Sequence, residues 1–453
     1  QCVEFSSLAR MGNEVGKQPK SANLEVEQQG AQAGEGTTDF EDEIAVEGKR
    51  SLDEIMRWRR NGPLLYDLYL EFGIHSPPLT VHWLGDEPDE ACSRLAFGTG
   101  SSDSESACQV VVAELSCVAD MDFSTDPWKR WKMEGFRDCS GFGAKPFRHT
   151  APLRVVCSMD TTSEVNRIVP CPSRPKLLAA KGSSGVVSLM DYKLATGNEP
   201  TTGLVKTFQY AEEPVDGFAL AWSSLEASWL ATGGNDGSIS LWDVESSVTP
   251  ARPLWAETAH EAPLNDISFS KYGPQLITVG EDLGMSIWDL REGRKASFLV
   301  GPGECLTVDW SPLDPNLVAS GRKDSMVNVW DMRSFKDPLK SLSGHRGEVH
   351  QVRWCPTSDK VGTVEARSLM ATCSQDAEAI LWNLEPHGEE VDEDGEDQAP
   401  EVYFVHSGHR KGVLDFDWSS LDDLLMCSVG EDCTLQVWQP SLSVLDDEDE
   451  PVE

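Results

Sequence analysis

Apolar and polar positions alternate in short runs along most of the chain, and Gly, Asp, Ser or Pro separates one run from the next. A period of two is typical of a β-strand with one buried face, and the separating residues are typical of turns. Five such runs open similar segments and lie at 219–223, 266–270, 308–311, 352–355 and 416–419. The pattern predicts an all-β protein made of many short strands.

A motif follows each of these runs at fixed spacing. A Ser or Thr is followed four residues later by Asp, and a Trp stands six residues after the Asp. The five sets are Thr232, Asp236 and Trp242; Thr278, Asp282 and Trp288; Ser320, Asp324 and Trp330; Thr372, Asp376 and Trp382; and Ser428, Asp432 and Trp438. Successive Trp residues are 46, 42, 52 and 56 positions apart, which indicates an array of repeats with one small sheet in each.

The residue types in the motif favour a buried hydrogen-bond relay. An indole N–H can only donate, and a Ser or Thr hydroxyl can accept that bond while donating another. An upstream His could link the hydroxyl to the Asp. His260, His345 and His409 stand at that upstream position, whereas Glu213 and Gly301 replace it in the other two motifs. We therefore expect three complete relays and two incomplete ones, all with a structural role.

These motifs resemble the WD repeat, in which each repeat is a four-stranded blade and the blades stand radially around an axis. Two degenerate blades, at 95–115 and at 166–192, bring the number to seven, with Met190 in place of the Trp in the second. The predicted fold is a seven-bladed WD-repeat β-propeller with an N-terminal α-helix. Because an open ring would leave sheet edges unpaired, the strand at 79–84 is expected to close it against the last blade.

The repeat accounts for only part of the chain. The predicted organisation is a disordered acidic and polar segment at 1–50, a helix with its connection at 51–73, the propeller at 74–445 with an acidic insertion at 385–401, and an acidic tail at 446–453. Ser51 and Glu54 form a capping box for a helix over 51–61, which Gly62 and Pro63 are expected to end. A helix of this length is marginal alone in water, so it must pack on the propeller.

Charge and cysteine content narrow the ligands. Acidic residues outnumber basic ones by 76 to 38, which gives a formal net charge of −38 and argues against DNA or an anionic membrane as a direct ligand. A basic partner such as a histone suits this balance, and the alternative is that the acidic residues only maintain solubility. None of the 12 Cys forms a C-x-x-C pair, so we predict no disulfide, no metal site and no cofactor.

The helix, the segments at 62–68 and 78–84 and the acidic insertion together are similar to the histone-binding WD-repeat family of the retinoblastoma-binding protein and chromatin assembly factor small subunit type. The resemblance implies a non-catalytic histone chaperone or scaffold subunit. It also implies the third and fourth core histones as partners, together with subunits of chromatin assembly, acetyltransferase, deacetylase or Polycomb-type complexes. A nuclear location is expected, with a cytoplasmic pool left open.

The resemblance also implies two binding sites. In the first, the N-terminal helix and the acidic insertion hold the first helix of histone four through Ile55, Leu64, Leu65, Asp394 and Asp397. In the second, an acidic channel rim holds the basic N-terminus of histone three, and the matching positions are Glu164, Asp216, Glu348 and Glu431. The chain departs from the family pattern at His75, Asn265 and Leu306.

Two other classes of function compete with this interpretation. An enzyme is disfavoured because the chain has no G-x-S-x-G, P-loop, G-x-G-x-x-G or H-E-x-x-H motif. A WD-repeat scaffold or substrate adaptor for a non-histone partner, such as those of ubiquitin ligases or ribosome assembly, uses the same propeller. The helix and the acidic insertion, present together, favour the histone-binding interpretation.

Overall fold

The computed structural model describes residues 52–85, 93–100, 108–115, 153–195, 203–209, 215–247, 252–357, 360–361, 364–385, 399–419, 424–441 and 445, all within one compact unit. The segment 1–50, the tail 446–453 and the centre of the acidic insertion, 386–398, lie outside the described residues. So do Asp394 and Asp397.

The described chain forms one α-helix and seven four-stranded antiparallel sheets, which are the blades of a propeller. The helix α1 (Leu52–Leu65) and the strand β1 (Tyr66–Gly73) come first. Blade 1 contains β2 (Val81–Leu84), β3 (Ser93–Thr99), β4 (Gln109–Leu115) and β5 (Leu153–Asp160), and blade 2 contains β6 (Val165–Cys171), β7 (Arg174–Gly182), β8 (Val187–Asp191) and β9 (Leu204–Phe208). Blade 3 contains β10 (Leu220–Trp222), β11 (Trp229–Gly233), β12 (Ser238–Asp243) and β13 (Trp255–Thr258).

The remaining blades follow the same order from the innermost strand outwards. Blade 4 contains β14 (Leu264–Phe269), β15 (Gln275–Gly280), β16 (Gly284–Asp289) and β17 (Arg294–Val300), and blade 5 contains β18 (Cys305–Trp310), β19 (Leu317–Arg322), β20 (Val327–Asp331) and β21 (Lys340–Leu342). Blade 6 contains β22 (Val349–Trp354), β25 (Leu369–Ser374), β26 (Ala379–Asn383) and β27 (Val402–His406), with a separate pair β23 (Lys360–Val361) and β24 (Val364–Glu365) between its first two strands. Blade 7 contains β28 (Val413–Trp418), β29 (Met426–Gly430) and β30 (Thr434–Pro440), and its outermost strand is β1. The predicted seven-bladed propeller is confirmed.

The strand that closes the ring is not the predicted one. The strand β1 pairs antiparallel with β30, with Tyr69 opposite Trp438 and Gly73 opposite Thr434. The segment predicted for this role, 79–84, instead contributes β2, the innermost strand of blade 1. Residues 66–73 therefore belong to the propeller rather than to the connection that precedes it, because their buried side chains, among them Leu68 and Leu70, pack between the last blade and the first.

The helix is longer than predicted. It continues through Gly62 and Pro63 to Leu65, so these two residues do not end it. A proline fixes φ near the helical value and removes only one hydrogen bond of the helix when it stands in the last turn. The helix end is then held to the ring, because the Leu65 carbonyl accepts a hydrogen bond from the Ser441 amide at 2.9 Å.

Three of the motifs form complete relays. In blade 4 the Trp288 indole donates to the Thr278 hydroxyl at 3.1 Å, and His260 contacts that hydroxyl at 2.9 Å and Asp282 at 2.8 Å. The same contacts join Trp382, Thr372, His345 and Asp376 in blade 6, and Trp438, Ser428, His409 and Asp432 in blade 7. Each relay ties a buried Trp to the loop before its blade, which restrains neighbouring blades relative to each other.

Blade 5 replaces the histidine of the relay rather than leaving its place open. Trp330 still donates to the Ser320 hydroxyl at 2.9 Å, although Gly301 stands at the histidine position. The guanidinium of Arg322 contacts Asp324 and the Pro302 carbonyl, so a cation from the second strand takes over the contact with Asp324. The expectation of an incomplete relay in this blade is correct for the histidine and wrong for the aspartate.

Side chains of the innermost strands connect each blade to the next. Asp266, Asp309 and Asp417 accept hydrogen bonds from the amides of Val308, Trp354 and Trp83, which belong to the following blades, at 3.1, 2.9 and 2.9 Å. The last of these bonds crosses from blade 7 to blade 1. Within the described residues, no helix combines the length and the apolar character needed to cross a bilayer.

Candidate functional site

One face of α1 packs on the propeller. The Trp58 indole donates a hydrogen bond to the Tyr66 hydroxyl at 3.1 Å, and its ring lies 5.1 Å from that of Tyr69 in an edge-on arrangement. Leu65 packs against the same core cluster. Trp58 is therefore the main apolar anchor of the helix, a role that the sequence pattern alone does not reveal.

The other face of α1 presents apolar side chains outwards. Leu64 is 46% exposed, Met56 is exposed to a similar degree, and Ile55 is half-buried. Of the three predicted groove residues, Leu64 is thus available to a partner, Ile55 is partly available, and Leu65 packs mainly on the propeller. Exposed apolar side chains grouped on one helix face are typical of a docking surface.

The acidic insertion leaves the propeller beside this helix. It lies between β26 and β27 of blade 6, and β27 follows it directly. The Tyr66 ring, at the end of α1, lies 5.3 Å from Phe404 of β27, and the Tyr66 hydroxyl is 2.9 Å from His406 Nδ1. The helix and the returning end of the insertion therefore flank one region of the molecular surface.

His406 connects the helix to blade 7. Its Nε2 lies 3.0 Å from the Gln436 side-chain oxygen, and its ring stacks on Trp438 with 4.1 Å between centroids. The side-chain contacts from Trp58 through Tyr66 to His406 are thus continuous. The signal for this residue in the sequence is a second histidine three residues before the relay histidine, His409.

The four predicted rim residues lie at one end of the propeller. Equivalent backbone hydrogen bonds define this end, since Ser183, Asn235 and Gln375 donate their amides to the carbonyls of Glu164, Asp216 and Glu348. By the same contacts the end also includes Glu431, whose amide donates to Gly412, Glu281, whose amide donates to Pro263, and Glu304, whose carbonyl accepts from Lys323. Sequence reasoning missed Glu281 and Glu304, because single acids are uninformative in so acidic a chain.

These rim carboxylates influence one another. Burial raises the pKa of Glu164, and the charge of Asp216 in the next blade raises it further. Lys323 Nζ lies 2.6 Å from the Glu304 carboxylate, and this hydrogen bond is the main cause of the raised pKa of that lysine, with smaller contributions from Glu348 and Glu281. Six carboxylates in blades 2 to 7, with Lys323 among them, therefore act as one negative field.

Two of the three departures from the family pattern have a structural reading. Asn265 is buried and donates to the Cys305 carbonyl at 2.9 Å, so it connects blade 4 to blade 5. His75 is exposed on the segment between β1 and β2. Leu306 is half-buried, and nothing in the structure explains the apolar residue there.

Arginine side chains cross the central channel below the rim. Arg167 of blade 2 contacts Asp266 of blade 4 at 3.1 Å and Gln351 of blade 6 at 3.0 Å. Arg353 contacts Asp415 at 3.1 Å and Asp417 at 2.7 Å. The two arginines line a cavity of about 280 Å³ in the channel. Across the part of the chain that the structure describes, no cluster of His, Cys, Asp or Glu is arranged to hold a metal ion.

Comparisons with known proteins agree with this architecture. Residues 53–119 match the family described as histone-binding protein RBBP4 or the CAF1C component of the CAF1 complex. Five segments match the WD domain, G-beta repeat, at 204–243, 252–289, 294–331, 336–383 and 401–439. The chain is 29% identical over 410 residues to the WD-40 repeat-containing protein MSI3 of Arabidopsis thaliana, with 88% of this chain and 92% of that protein covered. This chain is a WD-repeat β-propeller protein of the histone-binding family that includes RBBP4 and the CAF1C component of CAF1.

Proposed function

We propose that this protein is a non-catalytic histone-binding subunit that captures the first helix of histone four between α1 and the acidic insertion at 385–401. One observation carries the proposal: Tyr66 joins the end of α1 to β27, the strand that returns from the insertion. An apolar helix face and a strongly acidic segment therefore start from neighbouring points on the ring.

The chemistry of these two elements suits an amphipathic basic helix. Leu64, Met56 and Ile55 would take its apolar face, since a helix docks in a groove through side chains three or four residues apart. Asp394 and Asp397 would hold an arginine on its other face, because a carboxylate can accept two parallel hydrogen bonds from a guanidinium. Leu65 would support this surface from below rather than contact the histone.

The acidic rim provides a second contact in this proposal. The field of Glu164, Asp216, Glu348 and Glu431, extended by the two further carboxylates, would attract the basic N-terminus of histone three. Binding there should weaken steeply with salt, because exposed charges are screened within about 8 Å at physiological ionic strength. Two histone contacts on one protein would suit a nuclear scaffold in chromatin assembly, acetyltransferase, deacetylase or Polycomb-type complexes, without direct DNA binding.

A fluorescence anisotropy titration with a labelled peptide of the first helix of histone four tests the groove. The double variant Asp394→Ala and Asp397→Ala should weaken binding at least tenfold and leave the melting temperature unchanged. Leu64→Ser should weaken it by a similar factor. The control is Glu389→Ala with Glu390→Ala, which removes the same charge from the same insertion and should change affinity less than threefold.

Two results would contradict the groove. Equal losses in the two double variants would mean that net charge rather than position matters. Absence of binding by the folded wild-type protein would favour a scaffold for a non-histone partner.

A further inference from the structure

Blade 4 differs from the other blades at the end of the molecule that bears the acidic rim. The turn between the second and third strands places one residue at positive φ in each of the six blades where the structure describes it. These residues are Gly185, Gly237, Leu283, Ser325, Ala377 and Cys433. Leu283, with φ at 63°, is the one large apolar side chain among them, and it is 37% exposed.

A leucine at this position is unfavourable for two reasons. The left-handed conformation suits glycine, because a Cβ approaches the following carbonyl oxygen there. Exposure also leaves the side chain without the burial that would offset this strain. A strained residue that is also exposed and apolar is a candidate for a binding role.

Two exposed side chains of β17 adjoin Leu283. Phe298 is 50% exposed and Val300 is 61% exposed. Val300 pairs with Gly284, the neighbour of Leu283, and the Gly301 amide donates to the Leu283 carbonyl at 2.7 Å. The Phe298 ring lies over Gly284, since a Cβ placed there would be 2.9 Å from it. Leu283, Phe298 and Val300 thus form one apolar surface, named here the blade-4 corner.

Short connections join the blade-4 corner to the rim. Glu281 precedes Leu283 by two residues, and Glu304 follows Val300 by four. Both carboxylates act on Lys323, so they lie within reach of one charge. An apolar surface and a negative one are therefore neighbours at this blade.

We propose that the blade-4 corner binds an apolar side chain of an extended basic peptide whose Lys or Arg side chains lie on the rim at Glu281 and Glu304. The inference deepens the rim contact proposed above and rests on it. Charge complementarity specifies a basic occupant, and exposed apolar area specifies a hydrophobic anchor. Since an extended peptide advances about 3.3 Å per residue, the anchor should stand two to four residues from the nearest cation.

Two labelled peptides of equal charge test the corner by anisotropy. Each has three consecutive lysines, followed three residues later by Leu in one peptide and by Ser in the other. The wild-type protein should bind the Leu peptide about tenfold more tightly. Leu283→Gly, which suits the turn, and Phe298→Thr with Val300→Thr should each reduce this preference to less than twofold.

A matched variant and two further results keep the test decisive. Leu204→Thr with Val205→Thr alters an exposed outer strand of blade 2 and should retain the full preference. Glu281→Gln with Glu304→Gln should weaken both peptides by the same factor. Equal binding of the two peptides by the wild-type protein would overturn the corner and leave the rim intact. Failure of both peptides to bind would overturn the rim and this inference with it, whereas the histone-four titration would be unaffected.

Discussion

Two residues of blade 5 have exchanged sizes with their counterparts in blades 4 and 7. Gly301 stands where those blades have a relay histidine, and Arg322 stands where they have Gly280 and Gly430. A Cβ at Gly280 would lie 2.9 Å from the histidine ring, so a ring and a larger side chain cannot occupy both positions. Arg322 uses the space that the absent ring leaves, and the aspartate of the motif keeps a cationic partner.

The exchange predicts a compensating pair of substitutions. Arg322→Gly alone should lower the free energy of unfolding by about 1–3 kcal/mol, because Asp324 and the Pro302 carbonyl lose a charged donor. Adding Gly301→His should recover at least half of that loss by rebuilding the relay of the other blades. Urea unfolding of the wild type, both single variants and the double variant measures this, and strictly additive effects would contradict it.

At the scale of the element, the closing strand shows what local patterns reveal. The alternation of Tyr66, Leu68 and Leu70 is visible in the sequence, but its partner β30 is far along the chain. Local signals identify a strand without identifying its neighbour, which is why the pattern favoured β2 for the closing role. The Trp motifs were readable for the opposite reason, since each indole and its hydroxyl acceptor are ten residues apart in one hairpin.

Ring closure predicts how the protein responds to N-terminal truncation. A chain that begins at Leu52 should retain the cooperative thermal unfolding of the full chain. A chain that begins at Ile74 lacks β1, so β30 becomes an unpaired edge and the clusters around Leu68 and Tyr66 are exposed. We expect this shorter chain to aggregate or to melt at least 10 °C lower, as about 1 kcal/mol already shifts the midpoint of a large domain by a few degrees. Equal melting temperatures would show that β1 does not close the ring.

At the scale of the whole molecule, sequence reasoning identified seven blades because five keep the motif and two keep its strand pattern. The groove was accessible only through resemblance, since which face of α1 packs inwards depends on contacts between Trp58 and Tyr66. Periodicity alone placed Leu65 with Leu64, although the two point to different surroundings. The rim was half recovered, because Glu281 and Glu304 acquire meaning only from the radial symmetry of the folded blades.

Buried groups of the channel give the stability a defined pH dependence. Burial lowers the pKa of His82 and of His260, so the unfolded chain binds protons more readily and stability is lost as the pH falls below about 6.5. Asp309 acts in the opposite direction. Burial raises its pKa to about 6, so its contribution is present below about pH 4 and is lost as the pH rises through 6.

Asp309→Asn should separate these opposing effects. Asparagine can still accept the hydrogen bond from the Trp354 amide but cannot ionise. The free energy of unfolding of the variant, relative to the wild type, should increase by about 1–2 kcal/mol between pH 5 and pH 7.5. Urea titrations at both pH values measure the difference, with the exposed Asp337→Asn as control. A constant difference would mean that Asp309 ionises as it would in water.

Joining the first strand to the last also sets the timing of the protein's birth. About 360 residues separate Gly73 from Thr434, and a ribosome that adds about 5–20 residues per second needs roughly 20–70 s to bridge them. During that interval β1 and the apolar side of α1 wait without a partner, so nascent chains depend on chaperones to cover them. Closure then occurs only when synthesis is nearly complete, so a prematurely terminated product keeps an open edge that marks it for degradation.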